Sequence, residues 1–72
     1  MTLKEAQEGR EYIIKNIETT DEELKGFLFT LGCYSGEPIT VISQINGGSI
    51  VMLKNSRYSF DNRLSRAITV FE

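Results

Sequence analysis

Three groups of side chains in this sequence have chemistry to offer: the acid run Asp21-Glu22-Glu23, the lone thiol of Cys33, and the arginines Arg57, Arg63 and Arg66. Carboxylates bind hard divalent cations, but neighbouring helical positions point in different directions, so the acid run suits a helix start better than a metal. Cys33 follows the end of a helical pattern, where the negative end of the helix dipole raises a thiol pKa, so a packing role fits it better than a nucleophilic one. The arginines lack interleaved exposed aromatics and are a weak nucleic-acid signature. The chain has no histidine. Neither a Ser/His/Asp triad nor a Cys/His pair can be assembled, and a typical zinc site would lack its nitrogen ligands. No Gly-x-x-x-x-Gly-Lys-Ser/Thr loop and no Gly-x-Gly-x-x-Gly follows a strand. An enzyme is not expected, and no catalytic or cofactor-binding residue is assigned.

The elements that position these groups meet at Leu31-Gly32-Cys33-Tyr34-Ser35-Gly36-Glu37-Pro38. Before this junction the apolar spacing is helical. Thr20-Asp21-Glu22-Glu23 reads as a capping box with Thr20 as the cap, and three acids in the first turn complement the helix dipole. Leu24, Phe27, Leu28 and Leu31 then form one helical face, which predicts a core-facing stripe. Gly26 interrupts this helix and suggests close backbone packing, while Phe29 points off the apolar face. Gly32 stands where a left-handed residue would stop the helix.

On the N-terminal side, Thr2 to Gly9 predicts a short helical turn tucking Leu3 against the body, ended by Gly9. Arg10 to Ile17 predicts a strand whose Tyr12, Ile14 and Ile17 share a face only if a bulge falls at Lys15-Asn16. After Pro38, Ile39, Val41, Ser43 and Ile45 alternate with Thr40, Ile42 and Gln44. Asn46-Gly47 then signals a hairpin into the strand Ile50 to Lys54. That strand is apolar on both faces. Asn55-Ser56 predicts a second tight connection, Arg57 to Phe60 a fourth strand, Asn62 to Arg66 a single turn of 3₁₀ kind, and Ala67 to Phe71 a last strand. The reading is mainly β: a small barrel of about five strands, with one α-helix inserted after the first strand.

At 72 residues this is one small domain, 1–72, with a modest core. A net charge of −2 does not match a general nucleic-acid binder. A single cysteine cannot form an internal disulfide, and the N-terminus lacks the apolar core of a signal peptide, so a cytoplasmic setting is expected. No apolar run approaches the length needed to insert in a membrane.

The order and spacing of these pieces resemble FeoA-type proteins, the small ferrous iron transport protein A family. The resemblance runs from about Leu3 to Val70. It rests on Gly9 before Tyr12-Ile13-Ile14, on Leu24-x-x-Phe27-Leu28-x-x-Leu31, and on Leu31-Gly32-Cys33-x-x-Gly36. Ile39-x-Val41-Ile42, Ile50-x-Met52, Arg57-x-Ser59-Phe60 and Ala67-Ile68-x-Val70 complete it. The domain is also similar to the SH3-like C-terminal domain of iron-dependent repressors.

The resemblance implies an SH3-like barrel and a bacterial, cytoplasmic, non-enzymatic accessory protein. Its partner would be the FeoB membrane transporter, bound by docking. Phe29, Val51, Leu53 and Arg57 are the expected contacts. A different class is a transition-metal-binding or metal-sensing domain for an ion such as Fe²⁺, using Asp21, Glu22, Glu37 and backbone groups. A third is a weakly self-associating module using the two-faced strand Ile50 to Leu53.

Overall fold

A computed structural model describes all 72 residues. Alternation of apolar and polar residues produces five strands: β1 (Arg10–Ile17), β2 (Pro38–Ile45), β3 (Gly48–Leu53), β4 (Ser56–Asp61) and β5 (Ile68–Val70). Helix α1 (Glu22–Thr30) joins β1 to β2, and α2 (Asn62–Ala67) joins β4 to β5. The strands form one antiparallel sheet in the order β4-β3-β2-β1-β5.

The expected barrel is therefore not closed by hydrogen bonds. β5 is only three residues long, and its outer edge is taken by the N-terminus through a Thr2–Thr69 bridge and a Val70 N–H donating to the Met1 carbonyl at 2.8 Å. β4 is left as the other edge.

The predicted bulge lies between Ile14 and Asn16, and it brings Tyr12, Ile14 and Ile17 to one buried face. A second bulge, between Val41 and Ser43, breaks the alternation expected for β2. Beyond it Gln44 turns inward and Ile45 is left 42% exposed. Gln44 is fully used there. Its amide nitrogen donates to the Leu3 and Ala6 carbonyls at 2.9 Å each, and its oxygen accepts from Ser49 Oγ at 2.7 Å. Ser65 Oγ, also buried, donates to Ser49 Oγ at 3.1 Å. These bonds hold the 3₁₀ turn Leu3–Glu5, the β2–β3 hairpin and α2 together, with Leu3 at 0% exposure beneath them.

The hairpin turns differ from expectation. Both residues with positive φ between β3 and β4 are Lys54 (51°) and Asn55 (66°), which makes Lys54-Asn55 the two-residue I′ connection between Leu53 and Ser56. Asn46-Gly47 does link β2 and β3, but neither residue takes a positive φ. The tight position is Gly48, where a Cβ would be driven into the Phe60 carbonyl oxygen across the ladder.

Candidate docking face at the end of helix α1

Helix α1 begins one residue later than the sequence suggested. Asp21, not Thr20, is its cap: Asp21 Oδ1 accepts from the backbone N–H groups of Glu23 and Leu24 at 3.1 Å each. A carboxylate in that position answers both the free N–H groups and the positive end of the dipole. Only Leu24 and Leu28 of the expected stripe are buried, at 6% and 0% exposure. Successive residues are about 100° apart around a helix, so Phe27 and Phe29 fall on opposite flanks of the Leu28 line. They are 51% and 64% exposed, which corrects Phe27 from core to surface. Nothing lies within 4 Å of the place a Gly26 Cβ would occupy, so no close packing explains that glycine.

The C-terminus of α1 builds the site. Gly32 takes φ +89°, its N–H donates to the Phe29 carbonyl at 3.0 Å, and the Cys33 N–H donates to the Leu28 carbonyl at 3.0 Å. This is the Schellman arrangement, which joins a left-handed glycine to an apolar contact between the residue after it and the last turn. Cys33 and Leu28, both at 0% exposure, are that apolar pair in the core. Burial pushes the Cys33 thiol up to about 12, so it stays protonated and covered at neutral pH.

The reversal after Gly32 lays the Tyr34 ring against Phe29, centroids 4.9 Å apart. Lys54, from the β3–β4 turn, completes the group. Its ammonium lies 5.4 Å from the Tyr34 ring centre and donates to Glu37 Oε1 at 2.5 Å. That hydrogen bond holds the Lys54 amine above its ordinary range. The Lys54 stem runs over Gly32, where an added Cβ would come within 2.6 Å of Lys54 Cε.

Phe29, Tyr34, Lys54 and Glu37 thus form an exposed patch with an aromatic centre and a charged rim. Its chemistry is that of recognition: large aromatic area, a cation over a ring, and hydrogen-bonding groups at the border.

Of the residues the sequence put forward as contacts, Phe29 lies in this patch. Val51 and Leu53 do not. They are 0% and 1% exposed, because the register of β3 between β2 and β4 turns them into the core and leaves Ile50 and Met52 outward. Arg57 is exposed on β4, opposite Met52. Tyr34 and Lys54 join the patch without being among the contacts expected from sequence, and Glu37, expected as a metal ligand, is instead the hydrogen-bond acceptor of Lys54. Gly32 as a helix stop was the available signal for Tyr34, since a reversal there returns the chain to the last helical turn.

Asp21, Glu22 and Glu37 do not gather: no three His, Cys, Asp or Glu side chains are placed to share a metal ion. Asp21 and Glu23 instead border a shallow groove of about 280 Å³ with Leu24, Phe27, Arg63 and Leu64. No helix is long and apolar enough to cross a membrane.

No curated protein matches this sequence. Solved structures share the fold. An iron uptake regulatory protein, FeoA, is 22% identical with a TM-score of 0.85, over 97% of this chain and 93% of that one. The FeoA of Stenotrophomonas maltophilia complexed with zinc, described as a prokaryotic SH3 domain protein, is 17% identical with a TM-score of 0.86, over 99% and 89%. A manganese-dependent transcriptional repressor in complex with manganese is 15% identical with a TM-score of 0.90, and the match spans 99% of this chain but only 35% of the repressor. The FeoA domain model matches residues 1–71, nearly the whole sequence, and on that match the chain belongs to the FeoA domain family.

Proposed function

We propose that this protein is a cytoplasmic accessory component of a ferrous iron transport system, acting by docking on a FeoB-type membrane transporter rather than by catalysis. Family membership supplies the system. The observation that carries the mode of action is Phe29, a large apolar side chain left 64% exposed and packed at a tilt against Tyr34 beside a cation. Partly exposed aromatics in such a setting form the anchors of protein interfaces, with polar groups at the rim.

A metal-sensing role draws on the likeness to the repressors, but the residues present do not fit a metal site. Asp21 caps α1, Glu37 is bonded to Lys54, and the Cys33 thiol is covered and protonated. Complementation tests the proposal: a strain lacking its own copy of this gene is supplied with the wild-type chain or with Phe29→Ala, and Fe²⁺ uptake is followed. Uptake restored by the wild-type chain and lost with a folded Phe29→Ala supports docking through this face. Full uptake with Phe29→Ala would refute it.

A further inference from the structure

We propose that two copies of this chain pair along β4, edge to edge and antiparallel, about a two-fold axis at Ser59. This goes beyond docking on a transporter and uses a different part of the surface. Of the two strands that end the sheet, β5 is covered by Met1 and Thr2, whereas β4 has no strand or bridge on its outer side.

Natural edge strands are usually blunted by a proline, a bulge, extreme shortness or a run of like charges, whereas the charges on β4 are one of each sign. β4 is six residues long, contains no proline, and keeps unbroken register with β3 from Leu53–Ser56 to Gly48–Asp61. Because Leu53 and Ser56 flank a two-residue I′ turn, they form a hydrogen-bonded pair, and pairs then alternate along the ladder. Arg57, Ser59 and Asp61 fall in the pairs that do not bond β3, so both backbone groups of Arg57 and Ser59 and the N–H of Asp61 face the open side, while the Asp61 carbonyl is taken into the first turn of α2.

These three residues dictate the occupant. Antiparallel pairing centred on Ser59 sets Arg57 of one copy opposite Asp61 of the other, and Asp61 opposite Arg57. The two Ser59 residues then exchange both of their backbone hydrogen bonds, and each Asp61 N–H meets the Arg57 carbonyl of the other copy. All three side chains lie on the exposed face of the sheet, so both charge pairs form on the same side. The strand is self-complementary in charge as well as in hydrogen bonding. Asp61 Oδ1 accepts from the Leu64 N–H as the cap of α2, and its second oxygen is free for the guanidinium. The strand expected from sequence to self-associate, Ile50 to Leu53, is the interior strand β3 and has no free edge. One strand pair makes a small interface, so association is expected on the order of 0.1–1 mM and weakens with salt.

The test is sedimentation velocity with concentration-dependent amide shifts on the full chain, the Ser59→Pro variant and the Arg57→Glu variant. Proline at 59 removes only an outward N–H, so the β3 ladder survives while the centre of the pairing is lost. Arg57→Glu turns both attractions into repulsions and should weaken association about tenfold. The expected result is a wild-type dimer at high concentration with shifts at Arg57, Ser59 and Asp61, a monomeric Ser59→Pro, and a weakened Arg57→Glu. If Ser59→Pro fails to fold, Arg57→Glu alone decides the matter. A wild-type mass independent of concentration, or variants that associate as the wild type does, would overturn the inference. So would shifts along β4 that require a foreign protein and never occur with the chain alone.

Discussion

Raising the pH should destabilise this protein partly through one atom, the sulfur of Cys33. The thiol is fully covered and titrates near 12 in the folded chain, against an ordinary value of 9.0 once the chain unfolds. A group whose folded pKa is raised gives stability that is complete below the unfolded value and is lost as pH rises toward the folded one. Between pH 9 and 12 the unfolded state has released the proton and the folded state has not. Stability from this residue therefore falls by about 1.4 kcal/mol per pH unit across that window, about 4 kcal/mol in all.

Cys33→Ala isolates the effect, because every other titratable group is common to the two proteins. At pH 7 the variant should be less stable by about 1 kcal/mol for the small cavity beside Leu28. The difference should shrink above pH 9 and reverse before pH 11. Urea unfolding at a series of pH values under reducing conditions measures it. A difference that stays constant from pH 8 to pH 11 would refute the reasoning, and with it the placement of the thiol in the core.

Four other outcomes are expected. Gly48→Ala should lower stability by about 2–4 kcal/mol, because its Cβ meets the Phe60 carbonyl and the β3–β4 ladder must part; the urea midpoint reports it. Gly26→Ala, in an open and exposed helical position, should instead raise the midpoint, by about 0.5–1 kcal/mol. Val51→Ala should cost about 1–3 kcal/mol of stability while leaving a folded protein's docking unchanged, and Phe29→Ala should do the reverse; paired denaturation and titration with the transporter's cytosolic portion separate the two. Side-chain NMR should find Lys54 titrating above the ordinary lysine value, and Glu37→Gln should bring it back toward that value.

Much of the fold was legible because local chemistry and global topology agree. Tyr12, Ile14 and Ile17 demanded a bulge, Gly32 demanded a helix stop, and both are where the spacing put them. What was not legible depended on register. Val51 and Leu53 cannot be told from Ile50 and Met52 by composition, since all four are apolar; the hairpin through Lys54 and Asn55 decides which pair faces the core. Asn46-Gly47 does mark a hairpin, but the positive-φ turn falls on Lys54-Asn55, where a lysine has no special claim to positive φ. The bulge in β2 carried Gln44 inward, and its hydrogen bonds to Leu3, Ala6 and Ser49 explain why a polar residue is tolerated there. The docking face shows the same division. Phe29 announced itself by lying off the helical stripe, whereas Lys54 reaches Tyr34 and Glu37 only through contacts distant in sequence.

The central claim is that the Phe29–Tyr34–Lys54 face binds the cytosolic part of a ferrous iron transporter. The direct measurement is a titration of that part, with and without a GTP analogue, into the isotope-labelled chain, followed by amide shifts. Saturable shifts centred on Phe29, Tyr34, Glu37 and Lys54, absent in Phe29→Ala, are the predicted result. Saturable binding whose shifts avoid these four residues, or no shifts at near-millimolar partner, would contradict it.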